Sequence, residues 1–448
     1  MANTARDSRV PMNPERRPGP SADEEAYEQL KLRLHHRLIS DLDPSRMAQM
    51  DKDTLAKAVE EAINVLLQAS PETSLINRNQ RARLLKELKD EILGFGPLQP
   101  LLDDPTVSEI MVNSAKEIYV EREGVISRYD RTFRDDAHIM QVIERIIAPL
   151  GRRLDESSPM VDARAPGGYR LNAVIPPLSL KGPTVTVRKF FDDRFGIEDL
   201  VRIGTISQEA ATLMRLVVLG RLNLIISGGT GTGKTTFLNA LSAFIPATER
   251  IITIENPAEL RLKQDHVVRL ETRPPSIDGR NEVTQRALVV NALRMRPDRI
   301  IVGEVRAGEA FDMLQAMNTG HDGSITTVHA NSPRDALSRI ENMVMMAGFD
   351  LPIRAIREQV ASAVQVIIQL SRLRDGSRRV THITEVSGME GQTITLQDVF
   401  VGQQTGVNED GRIIYNLVPT GIRPTFMDRL AQYGLTMNIA SFARVGAR

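Results

Sequence analysis

The sequence predicts an α/β protein of several domains, with a parallel sheet in its C-terminal half. A length of 448 residues is too great for one ordinary core. From about Ile206 onward, short apolar runs alternate with helical segments, which is typical of parallel α/β sheets. A glycine-rich loop in this region joins the apolar run Leu222–Ile226 to the amphipathic segment Thr235–Phe244.

Composition is that of an ordinary globular chain and excludes several functions. Hydrophobic residues make up 41% and charged residues 25% of the chain. The 57 Lys and Arg residues balance the 57 Asp and Glu residues, so no overall charge favours nucleic acid or an anionic membrane. The absence of cysteine excludes disulfides and thiolate chemistry and fits a reducing compartment. The sequence has neither a bilayer-spanning apolar run nor a secretory signal, so we expect a cytoplasmic protein.

The N-terminal part is predicted to be a disordered segment, residues 1–22, followed by a helical bundle, residues 23–93. The first segment is rich in Pro, Arg and Ser and has too few large apolar side chains to offset the entropy of ordering. The second has apolar side chains at helical spacing in three stretches, and Gly94 ends the third. We interpret the bundle as a docking module, with a purely structural packing role as the alternative. The apolar residues that indicate the three helices are Tyr27, Leu30, Leu32 and Leu34; Leu55, Val59, Ile63, Leu66 and Leu67; and Leu84, Leu85, Leu88 and Ile92.

Residues 94–191 are predicted to form an α+β domain of ordinary size, which begins where Gly94-Phe95-Gly96-Pro97 breaks the helical pattern. A linker, residues 192–205, follows, with Asp192–Gly196 as its hinge. The expected elements are strands at Val107–Val112, Glu117–Glu121, Val125–Arg128, Tyr169–Ile175 and Thr184–Phe190, and a helix at His138–Leu150.

The domain at residues 206–448 is predicted to contain the parallel sheet and a C-terminal extension. From Arg372 onward, the turn signals Asp375-Gly376 and Asp410-Gly411 separate short β-like runs, and a short helix is expected at Phe426–Tyr433. The predicted strands of the sheet are Leu222–Ile226, Arg250–Ile254, Val267–Leu270, Ile300–Val302, Ser324–Val328 and Ala363–Gln369.

The glycine-rich loop fits the pattern G-x-x-x-x-G-K-[ST] of a phosphate-binding loop. Small residues let backbone N–H groups converge on phosphate oxygens, and the N-terminus of the following helix favours an anion. Lys234 is expected to neutralise the charge of the β- and γ-phosphates of a nucleotide, and the Thr235 hydroxyl is expected to bind Mg²⁺. The predicted nucleotide-binding residues are Gly228, Gly229, Thr230, Gly231, Thr232, Gly233, Lys234, Thr235 and Thr236.

Two further apolar strands end in acids that are candidates for catalysis. Glu304 follows the run Arg299–Val302 with one glycine between, so it lies where the crevice of an open α/β sheet is found. We expect Glu304 to polarise the attacking water, whereas a solvated helix cap is the alternative. Glu255 ends a second strand and is expected to assist with the water or with Mg²⁺, each carboxylate acting on the metal through water.

Two histidines flank the strand at Ser324–Val328. A pair such as His321 and His329 can indicate a metal site, but the segment has no Cys and no further His to complete a ligand set. A histidine that donates to a phosphate oxygen is the better interpretation of His329, which follows the strand.

These stretches, in this order, resemble the four motifs of the type II/type IV secretion ATPases. The stretches are Gly228–Thr235, Glu255-Asn256-Pro257-Ala258-Glu259, Gly303-Glu304 and Gly320 to His329. Arg294–Arg306 and Phe311–Gly323 are more closely similar to the CpaF branch, also called TadA, the motors of tight-adherence (Tad or Flp) pili. Gly94-Phe95-Gly96-Pro97-Leu98 and Ser108–Asn113 resemble the N-terminal domain of that branch.

The resemblance implies a hexameric ring of RecA-like ATPase domains, each preceded by a PAS-like α+β domain. It implies ATP and Mg²⁺ as ligands, inner-membrane pilus platform proteins as partners, and pilins as indirect partners. The protein would then lie on the cytoplasmic face of the bacterial inner membrane. It also implies arginines that reach the phosphates from the N-terminal domain or from a neighbouring subunit. The candidates are Arg164, Arg170 and Arg188, with Arg294, Arg296 and Arg306 on the motor side.

One residue departs from the family pattern. Asn256 stands where the family's acidic box usually has Asp, and an amide has no charge to hold Mg²⁺ or to take a proton. Either Glu255 does that work or hydrolysis is slowed, and we prefer the first.

Three other functions are alternatives to a pilus motor. An ATPase of a type IV or type II secretion system that exports protein or DNA belongs to the same class. A nucleic-acid translocase is disfavoured by the neutral net charge and by an aromatic content of 4%, so no nucleic-acid partner is expected. A nucleotide-gated scaffold with weak hydrolysis is the alternative that Asn256 leaves open.

Overall fold

The structure, a computed structural model, describes residues 22–41, 50–122, 124–165, 167–189, 195–275, 279–438 and 442. Nearly all of the segment predicted as disordered, and residues 192–194 of the predicted hinge, lie outside the described residues. The chain forms two compact units. The first comprises the residues up to Asp162 together with Leu171–Lys189, and the second comprises Ala163–Arg170 together with the residues after Lys189.

The helices account for most of the first hundred described residues and recur between the strands of the second unit. Their bounds are α1 Ala22–Asp41, α2 Lys52–Ala69, α3 Arg78–Leu93, α4 Gln99–Asp103, α5 Asp136–Ile147, α6 Ile197–Arg202, α7 Gln208–Leu219, α8 Lys234–Ser242, α9 Gln285–Ala292, α10 Glu309–Asn318, α11 Pro333–Met345, α12 Ile353–Ala363 and α13 Phe426–Gln432. Single 3₁₀ turns occupy Pro71–Leu75, Gly96–Leu98 and Ala148–Leu150.

The strands form two separate sheets. Their bounds are β1 Val107–Ser114, β2 Glu117–Arg122, β3 Val125–Arg128, β4 Met160–Arg164, β5 Arg170–Val174, β6 Thr184–Arg188, β7 Leu224–Gly228, β8 Ile251–Glu255, β9 Val267–Glu271, β10 Arg299–Val302, β11 Ile325–Val328, β12 Val366–Arg372, β13 Arg378–Glu390, β14 Thr393–Val407 and β15 Ile413–Pro419.

The first unit combines a helical bundle with a six-stranded sheet. The helices α1, α2 and α3 bury the apolar residues that the helical spacing predicted, among them Leu30, Ile63 and Leu88. A capping box begins α3. The side chain of Asn77 accepts a hydrogen bond from the backbone N–H of Gln80, and the side chain of Gln80 accepts one from the backbone N–H of Asn77. The sheet has the strand order β3-β2-β1-β6-β5-β4. Its β4 was missing from the predicted elements, because the short run Met160–Arg164 has only one strongly buried residue.

The second unit is built on a nine-stranded sheet with the order β15-β14-β13-β12-β7-β11-β10-β8-β9. Strands β12, β7, β11, β10, β8 and β9 pair in parallel. Every residue of β7, β8, β10 and β11 is buried, because helices cover both faces and two apolar clusters fill the layers. Such strands are continuous apolar runs, which is why the sequence predicted them. The α/β class is therefore confirmed.

The C-terminal extension differs from the prediction of short β-like runs. Strands β13 and β14 have 13 and 15 residues, and with β15 they continue the sheet beyond β12 in antiparallel pairing. The sheet is thus mixed. The tail pairs directly with a strand of the parallel core, and this long-range pairing extended the strands beyond what the local pattern indicated.

The parallel strands fix where the chemistry lies. Because β7, β8, β10, β11 and β12 run in the same direction, their carboxyl ends meet at one edge of the sheet, here called the carboxyl edge. The residues at or after these ends are Gly228, Glu255, Gly303, His329 and Arg372.

Candidate nucleotide site

The phosphate loop joins β7 to α8 at the carboxyl edge, as predicted. Gly233 precedes α8 with φ of 90°, a conformation that L side chains rarely adopt. Gly228 has no room for a side chain, since a Cβ there would lie 2.7 Å from the carbonyl oxygen of Leu370 on β12. The loop therefore places the N-terminus of α8 at this edge, where its N–H groups can bind an anion.

Lys234 is the first residue of α8 and is folded back over the loop. Its Nζ lies 2.9 Å from the carbonyl oxygens of both Gly228 and Gly229, and only 8% of the residue is exposed. The same Nζ lies 3.3 Å from Nε2 of His329, which follows β11. The ammonium group is thus held between the loop and the end of the neighbouring strand.

A continuous line of polar side chains extends from Lys234 along the carboxyl edge. His329 Nε2 lies 3.0 Å from Oε1 of Glu304, and Glu304 Oε2 accepts from Arg306 Nη2 at 2.7 Å. The Glu304 side chain is 22% exposed, which leaves it within reach of solvent. Lys234, His329, Glu304 and Arg306 therefore form what we call the edge relay. The structure brings together three of the residues that the sequence predicted as catalytic.

His329 is held in its neutral form by its surroundings. Burial lowers the pKa of His329 first, and the positive charge of Lys234 lowers it further, while Glu304 acts in the opposite direction. A neutral Nε2 either carries a proton or accepts one, so it can donate to Glu304 or accept from Lys234 but not both at once. The imidazole can therefore hydrogen-bond either to Lys234 at the phosphate loop or to the candidate base Glu304, one at a time.

Arg306 lies on the relay and is fixed at its backbone. Its hydrogen bond to Glu304 raises the pKa of the guanidinium. The backbone N–H groups of Arg306 and Ala307 both donate to Oε1 of Glu309, at 2.7 and 3.0 Å. This turn places Arg306 beside Glu304, and its half-exposed guanidinium is the cationic partner of the carboxylate in this structure.

Glu255 also lies at the carboxyl edge, but its carboxylate is used by its own loop. Oε2 accepts from the backbone N–H groups of Glu259 and Leu260, both at 2.6 Å, and the residue is only 2% exposed. Burial raises the pKa of Glu255. The predicted role of Glu255 with water or metal stays a prediction, and the contacts show an anchor for the acidic box. The neighbouring Asn256 is exposed.

The donor set beside the phosphate loop fits Mg²⁺. The ion prefers oxygen ligands and takes one or two from protein, with phosphates and water supplying the rest. Thr235 is half-buried at the first turn of α8, and no hydrogen bond of its hydroxyl is found among the described residues. That hydroxyl would hold the ion, and the ion would neutralise phosphate charge.

The structure separates the predicted arginines. Arg164 belongs to the second unit, and its Nη1 lies 3.0 Å from Oε2 of Glu271 at the end of β9. Arg188 is an exposed residue of the first unit, opposite Glu109 in the sheet. Arg170 is half-buried at the start of β5.

Two of the motor-side arginines lie away from the relay. Arg294 and Arg296 are exposed and precede β10, which places them at the opposite edge of the sheet from Arg306. They therefore make no contact with the phosphate loop of their own sheet among the described residues. Their roles stay predictions.

The first histidine of the Gly320–His329 box is also remote from the relay. His321 precedes β11, whereas His329 follows it, so the two imidazoles lie at opposite edges of the sheet. The adjacent Asp322 accepts from Arg429 of α13 at 2.9 Å. The segment before β11 is therefore tied to α13 through Asp322.

Two features of the second unit were missing from the sequence interpretation. Arg378 Nε donates to the carbonyl oxygen of Gly231 in the phosphate loop at 3.0 Å. The signal was four arginines within residues 372–379, directly after a strand of the same sheet. The second feature is Arg299, fully buried within β10 and paired with Glu249. The sequence feature that could have indicated Arg299 is a single cationic residue in an otherwise apolar strand.

Two family models and several known proteins match this chain in sequence. The family model described as Type II/IV secretion system protein matches residues 91–418, and that of the Type II secretion system protein E, N-terminal domain, matches residues 27–93. A putative conjugal transfer protein of Mycobacterium tuberculosis is 36% identical over 75% of this chain and 96% of its own length.

Two further comparisons involve Brucella suis. Its type IV secretion system protein VirB11 is 33% identical over 65% of this chain and 88% of that protein. The crystal structure of the VirB11 ATPase from this system, in complex with sulphate, is 30% identical, with a TM-score of 0.35. The match covers 64% of this chain and 92% of that one.

Among the described residues, none of the helices has the length and apolar character needed to span a bilayer.

Proposed function

Because this chain belongs to the type II/IV secretion system protein family and is an ATPase, we propose that it drives assembly of a Tad pilus. The motor would be a hexamer that acts on platform proteins at the cytoplasmic face of the inner membrane. Pilins would move only through those proteins, and retraction would use the same motor. The resemblance of Arg294–Arg306 and Phe311–Gly323 to the Tad branch supports this assignment.

The edge relay is the observation that carries the motor part of the proposal, whichever cargo the motor moves. A nucleotide phosphate competes with the carbonyl oxygens of Gly228 and Gly229 for Lys234, because an ammonium has three donors to share. Any movement of Lys234 changes its 3.3 Å contact with His329 and hence the hydrogen bond of Glu304. The state of the nucleotide is thereby coupled to the candidate base, which is a requirement of a motor.

Glu304 is the proposed general base and His329 the proposed phosphate sensor. A carboxylate that orients water contributes to hydrolysis by accepting its proton, and Glu304 is partly open to solvent. Arg306, and the arginines Arg164, Arg170 and Arg188, are proposed to stabilise charge on the transferring phosphoryl group. Hydrolysis would swing the N-terminal domain about residues 192–196.

A type IV secretion or conjugation ATPase is the second candidate function. The names of the relatives favour it, since those compared above are a putative conjugal transfer protein and VirB11. The machinery of the site is the same in both candidates. They differ in the cargo and in the membrane partner.

A deletion and complementation experiment in the native bacterium tests the proposal. Wild-type chain should restore surface pili, while Glu304→Gln should fail. Glu358 is an exposed carboxylate of α12 that, among the described residues, pairs only with Arg354 of its own helix. The variant Glu358→Gln is therefore the control and should restore the pili. Normal pili in the deletion strain, with loss of DNA or protein transfer, would replace the first candidate by the second. Loss of neither would contradict both.

A further inference from the structure

The turn that joins β12 to β13 lies beside the phosphate loop and is rich in arginine. We call residues 372–378 the arginine hairpin. We propose that Arg372 and Arg378 bind the phosphates of a nucleotide from outside the phosphate loop, so that the hairpin is a second wall of the site. The inference rests on the ATPase activity stated above and deepens it.

The sheet places this hairpin. Strand β12 pairs in parallel with β7, in a register that sets Gln369 opposite Ser227 and Leu370 opposite Gly228. The end of β12 therefore extends past the start of the phosphate loop at the carboxyl edge. Gln369 Nε2 also donates to the carbonyl oxygen of Ala330, at 3.1 Å, and so ties β12 to the residue after His329.

Close contacts bring two guanidinium groups to the loop. Arg378 Nε donates to the carbonyl oxygen of Gly231 at 3.0 Å. A Cβ built on Gly233 would lie 3.4 Å from Arg378 Cδ, and one built on Gly231 would lie 4.0 Å from Arg372 Nη1. Both arginines nevertheless remain exposed. The hairpin thus presents two cations at the glycines of the loop.

Donors remain available for an anion. The contact with Gly231 uses only Nε of Arg378, and among the described residues neither terminal nitrogen of this side chain has a hydrogen-bond partner. A guanidinium is a planar fork that matches phosphate oxygens in pairs. Lys234, by contrast, is buried and committed to loop carbonyls. The hairpin therefore presents exposed positive charge beside the loop, whereas the positive charge of the loop itself, on Lys234, is buried.

The other hairpin residues divide clearly by role. Asp375 shapes the turn: Oδ1 accepts from the backbone N–H and the hydroxyl of Ser377, and Oδ2 accepts from the backbone N–H of Ile413. Arg379 donates to the carbonyl oxygen of Ile203 and lies over the ring of Tyr415. Arg374 is exposed at the turn. The turn is thus held without Arg372 or Arg378, and Arg374 is a matched control.

Substitution of Arg372 distinguishes a contact with nucleotide from simple stabilisation of the phosphate loop. The bond from Arg378 to Gly231 could stabilise the loop without any contact with nucleotide. Arg372 has no hydrogen bond to the loop among the described residues, so its removal changes the charge beside the loop and not its support. An effect of Arg372 on phosphate binding is therefore specific to the proposal.

The test is the affinity of the full-length chain for a fluorescent ADP analogue, at low and high salt, for Arg372→Gln, Arg378→Gln and Arg374→Gln. We expect Kd to rise about 10-fold for each of the first two, the loss of one charge-assisted hydrogen bond. Kd for the control should stay within about twofold. The difference should shrink at high salt. The Tm without nucleotide should not change.

Wild-type affinity in Arg372→Gln would overturn the proposal. So would a loss confined to Arg378→Gln and accompanied by a lower Tm without nucleotide, because that pattern indicates bracing. In either case the wild-type chain would still bind and hydrolyse ATP. Failure of the wild-type chain itself to bind ADP would instead contradict the ATPase assignment together with this inference.

Discussion

At the scale of single residues, the site is organised by one imidazole with two neighbours. Nε2 of His329 contacts both Lys234 and Glu304, and a neutral ring can serve only one of them at a time. Protonation would remove its ability to accept from Lys234 and would bind it to Glu304 as an ion pair. The charge state of His329 therefore controls whether Glu304 is available as a base.

The charge state of His329 predicts how ATP turnover depends on pH. The pKa of His329 is lowered, so the neutral form persists below the usual value of about 6.5. Lys234, Arg306 and Arg339 oppose protonation, and Glu304 favours it. Turnover should thus stay level as pH falls through 6.5 and decline only at lower pH. His329→Gln should lower turnover roughly 10- to 100-fold, as expected for one hydrogen bond to a charged group.

The control for this profile is the other histidine of the same box. His321→Gln should leave both turnover and its pH dependence unchanged, since His321 lies at the opposite edge of the sheet. A decline centred at the same pH in the His329→Gln variant would show that another group titrates, and the role given to His329 would be wrong.

Residues of the site were predictable where they follow strand ends. Glu304 and His329 follow the ends of apolar runs within two residues, and Lys234 ends the glycine-rich loop after a third run. Parallel strands bring such positions together. The contacts of Glu255 were not predictable, because nothing in the sequence shows that loop amides take up its carboxylate. Arg378 was missed for a related reason, since its contact joins residues 147 positions apart.

At the scale of elements, the opposite edge of the parallel sheet is fixed by a buried ion pair. Arg299 of β10 donates through Nε to Oε2 of Glu249 at 2.5 Å, and through Nη2 to the carbonyl oxygen of Val218 at 2.7 Å. Arg299 is fully buried, and the Glu249 side chain is 9% exposed. The pair joins the end of α7 to the strands β8 and β10.

Removal of one partner should be strongly destabilising. Glu249→Ala leaves the buried guanidinium without its counter-ion, which costs roughly 3 to 5 kcal/mol. For a domain of this size that corresponds to a fall in Tm of roughly 10 °C. Glu358→Ala, which removes an exposed carboxylate paired with Arg354 in its own helix, should change Tm by less than about 2 °C. Thermal unfolding measures both, and equal shifts would contradict a special role for the pair.

The elements themselves were predictable to different degrees. Strands covered on both faces are continuous apolar runs, so β7, β8, β10 and β11 were predicted within two residues of their bounds. Strand β12 begins at Val366 rather than Ala363, because α12 extends through Ala363. The lengths of β13 and β14 depend on pairing with β12 and with each other, which local patterns do not contain.

At the scale of the whole molecule, the class of fold follows from sequence while the strand order does not. Alternating strands and helices require a largely parallel sheet. The order β12-β7-β11-β10-β8 depends on which side of the first strand each crossover takes. That order sets β7 between β11 and β12, and so gives the phosphate loop His329 on one side and the arginine hairpin on the other. Both proposals about the site depend on this arrangement.

The most direct test is ATP turnover by the purified Glu304→Gln chain, with nucleotide binding measured on the same sample. The substitution keeps the shape of the side chain and removes its charge. ATP should bind with nearly wild-type affinity, while turnover should fall roughly 100- to 10,000-fold, the range for loss of a general base. Lys234→Ala is the comparison and should lose binding itself. Wild-type turnover in Glu304→Gln would contradict the account of the edge relay.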